Sequence, residues 1–276
     1  MSENSRLNLW MLNGKTRIVG VVGDPVEQVR SPLPLSEMMQ RRAFNAIQLP
    51  FHVTPQDLRT FAEGVKRVGN LAGLVFTVPH KIAAMDLVDR LTPVAEAAGS
   101  VNAIRREADG LWLGDNFDGA GFVSGLQAEG HQIEGRSAFV AGVGGAGTAV
   151  CAALAQAGIS SLRIYDIAEA RTKGVKERLG RHFPSVNVEI LRLPDPSAVD
   201  IAINATALGM GSEDPLPFGV EELSAHTVVA EVVMKPPVTR LLRLAEEAGH
   251  RVCKGENVML HQLKPTAQFF EAASTF

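Results

Sequence analysis

Short apolar runs alternate along this chain with longer stretches in which apolar residues recur at helical spacing. Residues 17–23, Arg-Ile-Val-Gly-Val-Val-Gly, form a β-branched run closing on glycine, the pattern of a strand buried on both faces. Ser31-Pro32 opens a helical stretch to residue 42, with Ser31 in the N-cap position and proline just inside. Residues 47–53 and 71–78 read as further strands separated by a helix over 55–68, and a helix over 81–91 follows. Shorter strands are expected at 103–106 and 111–113, then a helix over 119–130. In the second half, 137–141 and 162–166 are strand-like and flank a glycine turn and an Ala-rich helix. A helix near 168–181 and strands near 186–193, 199–206 and 228–234 come next, then a helix over 238–248 and a strand over 251–254. Strands alternating with helices predict βαβ units and largely parallel sheets, an α/β fold. The last helix, 257–273, follows the final strand and is expected to return to the first half of the chain.

Composition narrows the function classes. With 46% hydrophobic residues, the 276-residue chain can bury a large core in one or two domains. A formal net charge of −3 and no basic cluster argue against nucleic acid as partner. No apolar run is long enough to span a bilayer, and the first 17 residues lack the apolar core of a signal peptide, so no membrane is expected and the reading is cytoplasmic. Cys151 and Cys253 have neither metal-ligand nor disulfide-framework spacing and read as reduced packing residues; no metal is expected. The sequon Asn204-Ala205-Thr206 is accidental on that reading.

The chemistry concentrates in a glycine turn. Gly142-Val143-Gly144-Gly145-Ala146-Gly147 places glycines at the first, third and sixth positions of G-x-G-x-x-G. These permit a tight turn, the approach of a pyrophosphate to bare backbone and close helix–sheet packing, while the helix start offers free N–H groups and a positive dipole end. A strand precedes the motif, a helix follows, and the acid Asp166 closes the next strand, which is the context dinucleotide binding requires.

Elsewhere the residue types leave two readings open. Ser31 suits either a helix cap or an anion contact. Lys81, at a strand-to-helix junction, stands where open α/β sheets place ligands, but a lysine there is also an ordinary solvated charge. His80 reads as packing or surface, and Asp115 as a turn former.

In combination and order, Ser31-Pro32, Thr77-Val78-Pro79-His80-Lys81, Val101-Asn102, residues 114–119 (Gly-Asp-Asn-Phe-Asp-Gly), Gly142 to Gly147, Asn204-Ala205-Thr206, Pro237-Val238-Thr239 with Leu241-Leu242, and Gln262 resemble the shikimate and quinate dehydrogenase family. The resemblance runs from about 17 to 271. It implies a mainly parallel α/β substrate domain over 1–118, with helix 256–276 packing back on it, a Rossmann dinucleotide-binding domain over 119–255, and an active site in the cleft between them. It further implies an NAD(P)-dependent alcohol dehydrogenase of the shikimate dehydrogenase type, monomeric or homodimeric, acting on a cyclic hydroxy acid.

By that resemblance Lys81 and Asp118 are the catalytic pair. Oxidising a secondary alcohol sends hydride from carbon and a proton from oxygen, so a base must reach the hydroxyl. Which of the two formally takes the proton stays open. Ser31, Thr77, Asn102, Gln262 and Met234 fall at substrate-binding positions, and Gly142, Gly144, Gly145, Ala146, Gly147, Asp166, Asn204, Ala205, Thr206, Val232 and Gly255 at cofactor-binding ones. Four departures make the expected pocket less polar: Val29 where the family has serine, Val75 for asparagine, Met234 for tyrosine and Phe117 for threonine. The chain therefore resembles a divergent member acting on shikimate, quinate, an amino analogue or a related acid. Asp166 can accept hydrogen bonds from a ribose 2′-OH and repels a 2′-phosphate, so NAD is the expected cofactor, with Arg171 the residue that could admit NADP. A non-catalytic dinucleotide sensor of the same fold is the alternative; retention of Lys81 and Asp118 favours the enzyme.

Overall fold

Two six-stranded sheets carry the chain, each in its own unit. The computed structural model describes residues 12–27 and 29–272, so the last residue of the helix expected to 273 lies outside them. One unit holds the chain to Thr92, Ser100–Phe117 and the residues from Leu263; the other holds Pro93–Gly99 and Asp118–Gln262.

The first unit begins with β1 (Arg17–Gly23), α1 (Pro32–Arg41), β2 (Ala46–His52), α2 (Leu58–Val65) and β3 (Leu71–Phe76). A short 3-10 turn, Ala83–Leu87, precedes β4 (Arg90–Leu91). After α3 (Pro93–Ala98), which belongs to the other unit, come β5 (Ala103–Arg106) and β6 (Trp112–Asp115). The sheet order is β2-β1-β3-β5-β6-β4. β1 pairs in parallel with β2 and β3, whereas β5 runs antiparallel to both β3 and β6. The last five residues of β1 are all buried, as its continuous apolar run requires at the centre of a covered sheet.

The second unit contains α4 (Asp118–Ala128), β7 (Ser137–Ala141), α5 (Gly145–Gln156), β8 (Ser161–Tyr165), α6 (Glu169–His182) and β9 (Asn187–Ile190). It continues through β10 (Ile201–Asn204), β11 (Val228–Glu231), α7 (Arg240–Glu247) and β12 (Val252–Cys253). All its strand pairs are parallel, in the order β12-β11-β10-β7-β8-β9. That is the doubly wound arrangement, in which the strand order reverses beside the first strand and a crevice opens at the carboxyl ends there. The Ala-rich α5 is buried over nine consecutive residues from Gly147 to Ala155, packed with Val140, Ile164 and Ile203. α8 (Glu256–Glu271) supplies residues to Gln262 to this unit and the rest to the first. Among the described residues no helix is long and apolar enough to cross a membrane.

The structure corrects several expectations. The helix expected over 81–91 shrinks to the 3-10 turn, because Asp89 accepts the Trp112 N–H through Oδ2 at 2.7 Å and donates its own N–H to the Trp112 carbonyl at 2.9 Å. Those bonds pull the chain into β4 beside β6, a pairing with no periodic signature. The boundary at 118 also fails for residues 93–99: α3 buries Val94, Ala97 and Ala98 in the second unit's core, and the Arg178 guanidinium donates to the Ala97 carbonyl at 3.0 Å. Ser31 occupies the N-cap position of α1 without making a side-chain cap bond. Cys151 and Cys253 are free and buried, and burial pushes both thiols up to about 12.

Candidate active site

In the first unit, backbone hydrogen bonds gather the singled-out residues at one edge of the sheet. The Thr77 N–H donates to the Val22 carbonyl at 2.9 Å, which sets Thr77 beside the carboxyl end of β1. The Phe76 N–H donates to the Asn102 carbonyl at 2.8 Å, and the Val101 N–H to the Lys81 carbonyl at 2.8 Å. Because β5 is antiparallel to β3, its start lies at the carboxyl end of β3, and Asn102 arrives there with Thr77 and Lys81. This is the edge where open α/β sheets present their ligands. Thr77 and Lys81 are half-buried, while His80 between them is 1% exposed with Nε2 2.8 Å from the Val53 carbonyl oxygen. His80 is thus a packing residue that fixes the turn carrying Lys81.

Asn102 is 2% exposed, and its Oδ1 accepts the Phe117 N–H at 2.9 Å. Asn116 donates to the Ser100 hydroxyl at 2.9 Å, and Asp115 accepts the Thr92 hydroxyl at 2.6 Å. Burial pushes the Asp115 carboxyl up, opposed by the Thr92 and Asn116 donors and the Arg105 charge, so Asp115 holds the turn. Phe117 packs edge-on against Phe269 with ring centroids 5.1 Å apart, which accounts for an aromatic residue at this position. Ser31 is half-buried at the start of α1, after the loop that leaves β1.

In the second unit, Asp118 is the first residue of α4, where a carboxylate is favoured by the helix dipole. Gln262 donates to Asp118 Oδ1 at 3.1 Å. Met234 follows β11 and is 49% exposed.

The glycine turn has the shape its motif requires. Gly142 has φ +88°, and a Cβ on it would meet Thr206 Cγ2 at 2.7 Å. A Cβ on Gly147 would meet the Gly142 carbonyl oxygen at 1.9 Å, so the start of α5 closes directly on the turn. Gly144 and Gly145, by contrast, face open space, which is the room a pyrophosphate needs. Ala146 lies with them in the first turn of α5. The hydroxyl of Thr148, a residue not singled out from sequence, donates to the Val143 and Gly144 carbonyls at 3.0 and 2.9 Å and braces the turn.

The neighbouring strand ends border the glycine turn. Asn204 is wholly buried; its Oδ1 accepts the Thr206 N–H and hydroxyl at 3.0 and 2.7 Å, and its Nδ2 donates to the Leu208 carbonyl at 2.9 Å. Ala205 donates its N–H to the Ala141 carbonyl at 2.8 Å, tying this turn to the glycine turn. Val232 donates to the Asn204 carbonyl at 3.0 Å, and a Cβ on Gly255 would meet the Val233 carbonyl oxygen at 2.2 Å. Asp166 is turned inward: Oδ2 accepts the Val143 N–H at 2.9 Å, Oδ1 the Ala168 N–H at 2.8 Å, and the side chain is 6% exposed. Arg171 approaches Asp166 Oδ1 at 3.8 Å with its guanidinium largely in solvent.

Residues 21–104 match the family model described as the shikimate dehydrogenase substrate binding domain. Over 254 residues, 91% of this chain and 89% of the relative, the sequence is 38% identical to the shikimate dehydrogenase (NADP(+)) of Rubrobacter xylanophilus. The chain belongs to the shikimate dehydrogenase family. Among solved structures it resembles shikimate 5-dehydrogenase from Listeria monocytogenes, determined with shikimate and NAD, at TM-score 0.86 and 28% identity, covering 96% of this chain and 94% of that one. It also resembles quinate dehydrogenase from Corynebacterium glutamicum, determined with NAD, at TM-score 0.81 and 25% identity, covering 92% and 93%. The α/β architecture, with a doubly wound C-terminal sheet, is that of the family.

One buried group of this shikimate dehydrogenase-family chain was not found from sequence. Glu231 ends β11 wholly buried, with the Thr239 hydroxyl donating to Oε2 at 2.9 Å. An acid inside the apolar run 228–233 was the available signal.

Proposed function

We propose that the chain is a nicotinamide dinucleotide-dependent oxidoreductase that transfers hydride between NAD(P) and the ring hydroxyl of shikimate or a related cyclic hydroxy acid. The observation that carries this reading is the hydrogen-bonded edge that holds Thr77, Lys81 and Asn102 together at the carboxyl end of β3. The glycine turn fits the dinucleotide, since Gly144 and Gly145 leave open the space that a Cβ would narrow. Bound there, the dinucleotide supplies the hydride acceptor.

The chain's own residues handle binding and the proton. Lys81 takes the alcohol proton or polarises the reacting oxygen, which is general acid–base work within hydrogen-bond reach. The Asp118 carboxylate, oriented by Gln262, accepts a hydrogen bond from a ring hydroxyl. Thr77 and Ser31 offer hydroxyls, and Ser31 stands at a helix start suited to the substrate carboxylate. Val75 and Met234 are each less polar than the residue of the family pattern, which favours a substrate with fewer ring hydroxyls.

On cofactor choice, the relatives named above point both ways: the Rubrobacter enzyme is named for NADP(+), while the two structures hold NAD. The Asp166 charge beside the glycine turn favours NAD by opposing a 2′-phosphate. Arg171 supplies the counter-charge through which NADP is also accepted. Following absorbance of the reduced cofactor with shikimate, quinate and amino analogues, each with NAD and NADP, tests the whole reading. No turnover with any of them would leave the dinucleotide sensor as the function.

A further inference from the structure

The second unit contains a cleft of about 350 Å³ lined by His131, Gln132, Arg136, Asp200, His226 and Arg251 among others. It lies where the parallel strands begin: Ser137 opens β7, Ile201 opens β10, Val228 opens β11, and Arg251 directly precedes β12. The glycine turn leaves the carboxyl end of β7, so the cleft is at the opposite edge of this sheet, a strand length or roughly 15 Å away. None of its lining residues belongs to the nucleotide cradle.

The charges in the cleft do not cancel. Asp200, its acid, is already committed: Ser137 donates both N–H and hydroxyl to Oδ2 at 2.9 and 2.8 Å, and Arg136 reaches Oδ1 at 3.3 Å. Burial pushes the Asp200 carboxyl up, yet these donors and His226, 3.8 Å away, together bring it below its ordinary value. The Arg251 guanidinium forms no hydrogen bond or ion pair with any described residue, while its backbone carbonyl accepts the Val229 N–H at 2.9 Å. His131 is 7% exposed, and its Nδ1 is buried with no hydrogen-bond partner among the described residues. Its Nε2 lies 3.8 Å from Glu129 Oε2.

We propose that this cleft binds a small phosphate-bearing anion. The Arg251 guanidinium supplies a planar fork suited to phosphate oxygens; Arg136, which gives one N–H to Asp200 and one to Gln132, keeps its remaining donors, and His226 adds a further donor when protonated. Donors arriving from several strand ends suit a tetrahedral oxyanion better than a carboxylate, which presents its oxygens in one plane. The volume is at the lower end of small-molecule sites and fits inorganic phosphate or a short phosphate ester. Bound phosphate also offsets the positive charge that Arg251 places beside His131.

The test follows the imidazole signals of His131 and His226 by NMR while phosphate is added to the whole protein, with NADP saturating so that the glycine turn is filled. Single His→Gln variants assign the two signals. The expected result is a saturable shift of both signals, absent with chloride at matched ionic strength, whose midpoint rises at least about tenfold in Arg251→Gln or Arg136→Gln. Tighter binding of glycerol 3-phosphate than of phosphate would mark a phosphate ester as the occupant, and equal binding would mark free phosphate; either supports the site. Both variants are expected to keep unchanged turnover without added phosphate, which confirms that they fold. A linear shift, one reproduced by chloride, or one indifferent to both arginine variants would overturn the proposal.

Discussion

Gln262 donates to Asp118 Oδ1 at 3.1 Å, so an amide from the first half of α8 orients the carboxylate at the start of α4. If that bond aligns Asp118 for the substrate, Gln262→Ala lowers kcat/KM in the wild-type background and has little further effect in Asp118→Ala. The coupling expected in a double-mutant cycle is about 0.5–1.5 kcal/mol. Strictly additive effects would show that the two residues act separately.

Lys81 acts in the transition state on the proposed mechanism. Lys81→Ala should reduce kcat by on the order of 10²–10⁴, with dinucleotide affinity, measured by titration calorimetry, nearly unchanged. Near-normal turnover in this variant would remove Lys81 from the chemistry.

Asp166 braces the glycine turn through the Val143 N–H, and on the proposed reading its charge also opposes a 2′-phosphate. Asp166→Asn keeps an acceptor for Val143 while removing the charge. The ratio of kcat/KM for NADP over NAD should rise by roughly tenfold, a change of about 1.4 kcal/mol, and Arg171→Ala should move it the other way. An unchanged ratio in both variants would place the discrimination elsewhere.

Ser31 makes no cap bond to α1, and on the proposed reading its hydroxyl goes to the substrate acid. Ser31→Ala should raise KM for the acid by roughly tenfold or more, in line with a charge-assisted hydrogen bond of about 1.5–3 kcal/mol. Val29→Ser, Val75→Asn and their double variant should improve kcat/KM for shikimate or quinate if those acids are poor substrates through lost polar contacts. No gain in any of the three would indicate a pocket shaped for a different ring.

Burial pushes the Glu231 carboxyl up to about 7 against the pull of its Thr239 and Asn204 partners. An unfolded glutamate titrates near about 4.3, so between there and about 7 the native state binds more protons than the unfolded one. Stability therefore falls as pH rises through that window and levels off above it, by on the order of 3 kcal/mol in all. Glu231→Gln should flatten this slope in urea denaturation followed from about pH 5 to 8 and be the more stable form at the upper end. A slope unchanged by the substitution would mean that another group sets it.

The strands of both sheets were legible because buried parallel strands are continuous apolar runs, and the dinucleotide turn because glycine spacing reflects backbone geometry directly. What depended on a distant partner was not. β4 exists through its register with Leu113 and Gly114, and six residues starting at Pro93 are too few for a helical period to show. The commitment of Asp166 to Val143 could not be seen either, since the sequence shows that an acid is present but not where its oxygens turn. Lys81, Thr77 and Asn102 could be named from the family pattern, but their convergence rests on the antiparallel turn-back of β5, which no local signal announces.

A Cβ on Gly119 would meet the Ala149 carbonyl oxygen at 2.0 Å. With no side chain between them, α4 and α5 touch backbone to backbone, one residue beyond Asp118 and within the first turns of the helix that rises from the glycine turn. The carboxylate and the phosphate cradle therefore behave as one stiff piece. A fluctuation that shifts the start of α4 must shift the glycine turn with it.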